Sequence, residues 1–259
     1  MHEERQAETQ HITVSNSLTM GDLGRALKAG WQDYRAKPAF GLFFASLFAI
    51  GGLMLTYLLG SRGETAWLIP AAAGFPLLAP FTAVGLYEVS RRRELGLPLT
   101  WSKVLTAVKG RGDDQILSMG VIIFVAFGFW MIVAHGVYAI FLGESGLGSD
   151  PTEIVNSMAG LTMLAVGSVT GGLMALAFYS ITVFSLPMLV DRDVDFLTAI
   201  ITSLQAMRDN KYVLLVWAFL VAAILFVAMI PLFLGLLVAL PVLGHATWHL
   251  YRTAIRPQN

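Results

Sequence analysis

Long stretches of this chain carry no charged residue. Asp, Glu, Lys and Arg are absent from residues 38–61, 65–87, 115–143, 154–190 and 212–251. A helix needs about 20 mostly apolar residues to cross roughly 30 Å of hydrocarbon. Only 13% of the 259 residues are charged, against about 25% in a soluble domain. The sequence therefore predicts an all-α, polytopic transmembrane helix bundle.

These five stretches give six predicted spans. The last stretch has 40 residues and would be about 60 Å long as one helix, about twice the hydrocarbon thickness. Pro231 and Gly235 lie near its middle, and both residues interrupt helices, so two spans are favoured over one kinked helix. The predicted spans are about 38–59, 67–87, 117–142, 161–186, 212–230 and 232–251. They form a single transmembrane domain, residues 20–255, after a polar tail, residues 1–19, that is predicted to be disordered.

The basic residues indicate the orientation of these spans. Of the 17 Lys and Arg residues, 16 fall in the N-terminal segment, the loops between spans 2–3 and 4–5, or the C-terminal tail, and only Arg62 falls on the opposite side. Loops rich in Lys and Arg stay in the cytoplasm. We therefore expect a multi-pass protein of the bacterial inner (cytoplasmic) membrane with both termini cytoplasmic. No basic start followed by an apolar core is present, so no cleaved signal is expected.

Two cytoplasmic segments have the pattern of amphipathic helices that lie at the membrane surface. The predicted apolar face of residues 22–36 consists of Leu23, Leu27, Trp31 and Tyr34. The predicted apolar face of residues 195–210 consists of Phe196, Ile200, Leu204 and Met207. Asp22 and Asp195 are expected to be N-caps or acids of the first helical turn.

The two segments also align with each other. Without gaps, the alignment pairs Asp22 with Asp195, Ala26 with Ala199, Gln32 with Gln205 and Arg35 with Arg208. Each segment precedes a hairpin of two spans, and a shorter third copy is predicted near Trp101–Val108. This arrangement predicts a threefold internal repeat of an interfacial helix plus a two-span hairpin. The alternative is convergence, since unrelated cytoplasmic helices that flank spans share such a pattern.

Three segments resemble a known family. They are residues 26–38 (ALKAGWQDYRAKP), 71–91 (AAAGFPLLAPFTAVGLYEVSR) and 240–252 (LPVLGHATWHLYR). Over residues 20–255 the chain resembles the bacterial predicted integral membrane proteins that carry domain of unknown function 2189. The resemblance implies an inner-membrane location and brings no established activity with it.

An acidic residue at the end of the second span is the first candidate functional position. Glu88 precedes Arg91 and Arg92 by three and four residues, a spacing that favours ion pairing on a helix. A transport or proton role is the alternative, because acids near hydrocarbon are often functional. With Arg93, the two arginines are candidate contacts for anionic lipids and are not expected to bind nucleic acid.

The histidines are the other candidate polar positions. His245 and His249 are four residues apart and would face the same side of a helix, while His135 lies in the third span. A zinc site needs three or four ligands, and the chain has no Cys. Interfacial or interhelical hydrogen bonding is therefore favoured over a metal or haem site. We expect no metal and no cofactor.

The fourth span contains two small-xxx-small pairs, Gly167/Gly171 and Ser168/Gly172. Small residues let helices approach closely in lipid. This favours packing within the chain, with a homo-oligomer seam as the alternative.

The chain has no recognisable motif for a nucleophile or a phosphate-binding loop. We therefore expect a non-enzymatic accessory, assembly or envelope-homeostasis factor that acts through contacts with phospholipid or with a membrane-protein partner. The alternative is a small membrane transporter or channel.

Overall fold

The computed structural model describes residues 12–63, 79–109, 115–143 and 151–257. The helices are α1 (Met20–Ala36), α2 (Pro38–Ser61), α3 (Ala79–Glu94), α4 (Trp101–Leu105), α5 (Gln115–Leu142), α6 (Pro151–Val155), α7 (Met158–Thr182), α8 (Ser185–Asp191), α9 (Phe196–Asp209), α10 (Lys211–Met229) and α11 (Leu236–Ala254). A 3-10 turn, Thr106–Lys109, follows α4, and two short strands, β1 (Ile12–Val14) and β2 (Ile255–Pro257), pair antiparallel. Apart from this strand pair the described fold is helical, as predicted.

In the described part of the chain, four helical segments are long and apolar enough to cross a membrane. They are Pro38–Ser61, Gln115–Leu142, Met158–Asp191 and Lys211–Met229, at the positions of predicted spans 1, 3, 4 and 5. Of the predicted second span, α3 covers the final part, and residues 67–78 lie outside the described residues. The predicted sixth span corresponds to α11, which is more polar because it carries His245, His249 and Arg252.

The long uncharged stretch near the C-terminus forms two helices that reverse direction. Asn210, which precedes α10, donates from Nδ2 to the Ser15 carbonyl at 2.7 Å, and the Ser15 amide donates to the carbonyl of Ala254, the last residue of α11, at 2.8 Å. The start of α10 and the end of α11 therefore lie together. Between the helices, Leu232 and Phe233 have φ values of 50° and 63°, a left-handed conformation that ends a helix. The stretch therefore forms two helices in place of one kinked helix, and that both of them cross the membrane stays a prediction.

Part of the predicted N-terminal tail is ordered. Ile12 pairs with Pro257 and Val14 with Ile255. The tail is also held by the Leu18 amide, which donates to Asn210 Oδ1 at 3.1 Å. The prediction of a disordered tail is thus wrong for residues 12–19. Strand β1 was not predicted because three residues are too few to show an alternation of apolar and polar side chains. Its partner strand also lies at the other end of the chain.

The most buried long helix is α11. Of its nineteen residues twelve are buried, whereas α2 buries seven of its 24. The surface helix α1 lies directly against α11, since a Cβ added at Gly30 would come within 2.5 Å of the Val242 carbonyl oxygen. Only a residue without a side chain permits this approach between the two backbones. Consequently α1, α2, α3 and α10 pack around α11, whereas α5, α7 and α9 pack on one another.

In both amphipathic helices the side chains buried against the bundle are mostly small, and they lie beside the predicted apolar face, overlapping it at Leu23. In α1 the buried residues are Asp22, Leu23, Ala26, Gly30 and Asp33, and Trp31 of the predicted apolar face is 44% exposed. In α9 the buried residues are Ala199, Thr202, Ser203 and Ala206, and Leu204 is exposed. Small side chains face the bundle because they allow a close helix approach. The large apolar side chains point more outward.

Large apolar side chains cover much of the outer surface of the long helices. Exposed examples on α2, α5 and α10 include Ile50, Tyr57, Phe124, Ile140, Phe219 and Phe226. Water-soluble proteins rarely expose such extended apolar surface, whereas helices in lipid must present it to the acyl chains. The chain is therefore a membrane protein by its surface as well as by its composition.

Candidate functional site

A group of buried and half-buried polar side chains joins α1, α3 and α11. We call it the Asp33 cluster, and it consists of Asp33, Ser90, Arg93, His245 and His249. Ser90 Oγ donates to Asp33 Oδ2 at 2.5 Å and lies 2.7 Å from His245 Nδ1. His249 Nε2 lies 2.9 Å from the same carboxylate oxygen, and Arg93 Nη1 donates to the other oxygen. One carboxylate thus holds three helices together.

The hydrogen-bond directions in this cluster do not suit nucleophilic catalysis. Because the Ser90 proton points to Asp33, the bond between Ser90 and His245 requires His245 Nδ1–H as donor. A catalytic serine needs the opposite arrangement, in which an imidazole nitrogen accepts its proton. Ser90 and His245 are also fully buried. The arrangement acts as a structural brace in this state of the protein, and His245 Nε2 is left without a partner among the described residues.

The environment of Asp33 favours its charged form. Burial alone raises the pKa of this carboxyl, but hydrogen bonds from His249 and Ser90, together with the nearby imidazoles, outweigh burial and hold its pKa below the ordinary value of 3.8. Asp33 is therefore a carboxylate at neutral pH. Arg93, which donates a hydrogen bond to this carboxylate, balances its negative charge.

Glu88 forms the ion pairs that its spacing predicted. Its carboxylate accepts from Arg91 Nε at 2.8 Å and from Arg92 Nε at 2.6 Å. Arg92 Nη1 also donates to the Pro98 carbonyl. All three arginines of the basic run thus reach acidic partners inside the protein, and Arg91 is buried. A contact between Arg91, Arg92 or Arg93 and anionic lipid stays a prediction.

A second polar group lies beside the Asp33 cluster and is centred on Arg252. Arg252 Nε donates to Glu94 Oε1 and its Nη1 donates to Asp191 Oδ2, both at 3.0 Å. Trp248 Nε1 donates to the other Glu94 oxygen at 3.1 Å, and the Tyr251 hydroxyl donates to Asp191 at 2.9 Å. These bonds connect α11 to α3 and α8. The C-terminal half of α11 is therefore held by two groups of polar contacts, the Asp33 cluster and the Arg252 group.

A largely apolar cavity of about 570 Å³ lies between α3, α7, α10 and α11. We call it the α7–α10 cavity. Its walls include Gly172 and Ala175 of α7 and Ala218 and Ala222 of α10. Near one end the two helices are joined, because the Tyr179 hydroxyl donates to the Leu214 carbonyl at 2.9 Å.

The cavity opens toward the outer surface of the bundle. Phe219 and Phe226 line it and are 73% and 66% exposed. Trp217 also lines it and is fully buried, and its Nε1 has no hydrogen-bond partner among the described residues. The size falls within the range of about 300–1,000 Å³ that is typical of ligand sites.

The two small-residue pairs of the fourth span have different surroundings. A Cβ added at Gly171 would lie 2.7 Å from Trp130 of α5, so this glycine packs within the chain as predicted. A Cβ added at Gly172 would meet no atom within 4 Å, because Gly172 faces the α7–α10 cavity. The intrachain interpretation therefore holds for Gly171 and for Gly167, whose added Cβ would contact Val137 of α5 at 3.8 Å, but not for Gly172.

The predicted polar positions are not all brought together. His245 and His249 face the same side of α11 and enter the Asp33 cluster, in agreement with interhelical hydrogen bonding. His135 lies on the exposed side of α5, a helix that contributes nothing to the cluster. Among the described residues no group of three His, Cys, Asp or Glu side chains has the arrangement of a metal site.

The sequence analysis missed Asp33 and Ser90. Ser90 is 57 residues from Asp33 and 155 residues from His245 along the chain. No local sequence pattern links these residues. One signal was present, since Ala26 and Gly30 precede Asp33 by seven and three residues on one helical face. Such a stripe of small residues indicates close packing on another helix, which would have placed Asp33 inside.

Residues 68–191 match the sequence model of a family described as predicted integral membrane protein (domain of unknown function 2189). No curated protein matches the chain, and no solved structure matches it. The family resemblance inferred from the sequence is confirmed over these residues, which extend from the second predicted span to the end of α8.

Proposed function

We propose that this chain, which is similar to the predicted integral membrane protein family over residues 68–191, is a non-enzymatic accessory, assembly or envelope-homeostasis factor that acts through contacts within the membrane. The observation that carries the proposal is the α7–α10 cavity, which is apolar and opens to the outer surface of the bundle. A transporter needs polar groups along a shared pathway. Here the polar side chains of the Asp33 cluster and of the Arg252 group bond within their own groups instead of lining that cavity.

Copurification tests this proposal directly. The protein would be extracted in a mild detergent, and the retained lipids and proteins would be identified by mass spectrometry. We expect a lipid or a membrane protein, including a second copy of this chain, at near one per chain. A chain that retains neither, yet stays folded, would remove the support for a contact-based function.

A small transporter is the second candidate, and the Asp33 cluster favours it. An acid and two imidazoles lie together across three helices, and one imidazole nitrogen lacks a partner, as in proton relays. Proteoliposomes containing a pH-sensitive dye would distinguish the candidates. A transporter of this kind would conduct protons in response to a pH gradient, and Asp33→Asn would stop the flux. The contact-based proposal predicts no flux in either protein.

We also propose six spans in the bacterial inner membrane, with both termini in the cytoplasm. The distribution of Lys and Arg supports this orientation. The pairing of β1 with β2 supports an even number of crossings, because it places both ends of the described chain at one end of the bundle. The sixth crossing would be α11, whose polar residues lie in its C-terminal half.

We further propose the threefold internal repeat, which is supported by the buried residues of α1 and α9. In the ungapped alignment of α1 with α9, the buried residues Ala26 and Gly30 fall on the buried residues Ala199 and Ser203. Gly30 lies against α11, and Ser203 Oγ donates to the carbonyl of Ser180 on α7 at 2.8 Å. Each surface helix thus packs on a span that belongs to another unit. An experimental structure in which residues 22–91 fail to superpose on 195–252 would reduce the repeat to chance.

A further inference from the structure

We infer that α10 and α11 form a re-entrant hairpin, which enters and leaves the membrane on the cytoplasmic side and places its turn, residues 230–235, among the acyl chains. This inference goes beyond the proposed function. It replaces the fifth and sixth crossings of the six-span topology by one hairpin and leaves both termini in the cytoplasm. Three observations support it: the short apolar part of α11, the depth of the turn beside α2, and the chemistry of the turn.

The apolar part of α11 is too short to cross the membrane. Residues 236–244, which precede His245, extend about 14 Å as a helix, about half of the roughly 30 Å of hydrocarbon. His245 and His249 belong to the Asp33 cluster. That cluster lies at the end of the bundle that is proposed to face the cytoplasm, because Asp33 is only five residues before Pro38, where α2 begins. The start of α11 therefore lies inside the membrane.

The packing of α11 on α2 gives the depth of the turn. A Cβ added at Gly41 would lie 2.8 Å from Pro241, and a Cβ added at Gly52 would lie 2.6 Å from the ring of Phe233. The two helices therefore run antiparallel, and the turn lies beside Gly52. Beyond this point α2 continues to Ser61, over a further distance of roughly 14 Å. Because α2 has the length of a full span, the turn stops well short of its far end.

The turn itself is suited to hydrocarbon. Its sequence, IPLFLG, has no polar side chain, whereas turns in water commonly carry Asn, Asp or Ser. The side chains of Ile230, Leu232 and Leu234 are 69%, 64% and 56% exposed, so they point away from the described part of the protein. Backbone amides in hydrocarbon need acceptors within the protein. The amides of Ile230, Leu232, Phe233 and Leu234 each donate to a carbonyl of residues 227–231 at 2.8–3.2 Å.

Cysteine labelling tests whether the turn is in contact with water. The chain has no Cys, so Leu232→Cys and, as a second position, Leu234→Cys each give a single thiol in the turn. Ser61→Cys at the far end of α2 and Arg208→Cys on α9 are matched controls for the two aqueous sides, since both native residues are exposed. A membrane-impermeant maleimide would be added to intact cells and to inverted membrane vesicles.

We expect each control to react on one side only and the turn cysteines to react on neither side, because the reactive species is the thiolate, which needs water. Denaturation in detergent should then label all four variants equally, which shows that their thiols are intact. Reaction of either turn cysteine to the extent of a control would overturn the hairpin. Reaction on the side of Ser61→Cys would restore the fifth and sixth crossings and leave the contact-based function unaffected.

Electron paramagnetic resonance measures the depth of the turn directly. A nitroxide at Leu232→Cys would be compared with one at Ile50→Cys, because Ile50 is 62% exposed and lies near Gly52 on α2, and with one at Ser61→Cys. Oxygen concentrates in the membrane interior and a water-soluble nickel complex is excluded from it, so the ratio of their relaxation effects rises with depth. We expect the ratio at Leu232 to equal that at Ile50 and to exceed that at Ser61 several-fold. A ratio at Leu232 equal to that at Ser61 would place the turn at the membrane surface and overturn the inference.

Discussion

Asp33 and His249 are separated by 216 residues in the chain, yet His249 Nε2 lies 2.9 Å from Asp33 Oδ2. The contact joins a surface helix near the start of the chain to the last helix of the bundle. It closes the assembly in the same way as the strand pair β1–β2, which also joins the two ends of the described chain. The stability of this closure is therefore expected to depend on one carboxylate.

Replacing Asp33 by Asn should destabilise the protein. The substitution keeps the size of the side chain but removes the charge that Arg93 and His249 face. Hydrogen bonds to charged groups contribute about 1.5–3 kcal/mol each, so a loss of that order is expected in the free energy of unfolding. Thermal or denaturant unfolding in detergent would measure it.

Asp209→Asn provides the control for that measurement. Asp209 pairs with Arg208, whose side chain is 77% exposed, and exposed ion pairs contribute little. The control should unfold like wild type. If Asp33→Asn were equally harmless, the Asp33 cluster would not hold the helices together.

The Asp33 contribution should also depend on pH. Because the folded protein holds the pKa of this carboxyl below 3.8, the contribution is complete above the unfolded pKa and is lost as the pH falls through the lower, folded pKa. The difference in melting temperature between wild type and Asp33→Asn should therefore shrink as the pH falls below about 4. Asp22 and Asp195 titrate in both proteins, so their effects cancel. A difference that stays constant to pH 3 would contradict the lowered pKa.

Gly30→Ala should weaken the docking of α1 on α11. The new methyl group would meet the Val242 carbonyl oxygen at 2.5 Å and the Ala246 nitrogen at 2.6 Å, and backbone atoms cannot move aside as a flexible side chain can. Overpacking of this kind costs about 1–3 kcal/mol. The change would appear as a lower unfolding temperature and faster proteolysis at the N-terminal end of the chain.

The matched control is Gly24→Ala on the same helix, where a Cβ meets nothing within 4 Å. Alanine is favoured over glycine in a helix by about 0.5–1 kcal/mol, so this variant should be as stable as wild type or slightly more stable. Equal destabilisation by both substitutions would show that α1 responds to side-chain addition anywhere and that no close approach exists.

The features predicted correctly from the sequence are those with local causes. Lack of charge over about 20 residues places a spanning helix, and Pro231 and Gly235 locate the break between α10 and α11. The capping role of Asp195, whose side chain accepts from the Thr198 amide at 2.8 Å, and the pairing of Glu88 with Arg91 and Arg92 depend on spacings of three or four residues. Each of these interactions is complete within one or two helical turns.

The features missed depend on contacts between distant parts of the chain. The hydrogen bonds of the Asp33 cluster form only after α1, α3 and α11 have packed together. No short sequence pattern predicts that Asp33, Ser90 and His249 come into contact. The packing of small residues of α1 and α9 against the bundle was not predicted, for a related reason. In water the largest apolar side chains mark the buried face, but in lipid they can face outward while small residues mediate helix contact.

The histidine pair is predicted to bind neither metal nor haem. Asp33 and Ser90 already occupy one nitrogen of each imidazole, which leaves too few free donors for a metal that takes three or four protein ligands. Purified protein should show no Soret band and no stoichiometric zinc, copper or iron by elemental analysis. A metal content near one per chain that disappears in His245→Ala would refute this prediction.

The last prediction concerns topology. If six spans separate two cytoplasmic termini, a reporter fused after Asn259 and a reporter inserted within Ser145–Asp150 should lie on opposite sides of the membrane. The physical reason is the positive-inside rule, because residues 143–159 carry Glu144, Asp150 and Glu153 and no Lys or Arg. Alkaline phosphatase, active only outside the cytoplasm, should be active in the loop and inactive at the C-terminus, and green fluorescent protein fused after Asn259 should be fluorescent. Alkaline phosphatase activity at the C-terminus would mean an odd number of crossings or a reversed orientation, and a cytoplasmic loop at Ser145–Asp150 would exclude the proposed order of spans.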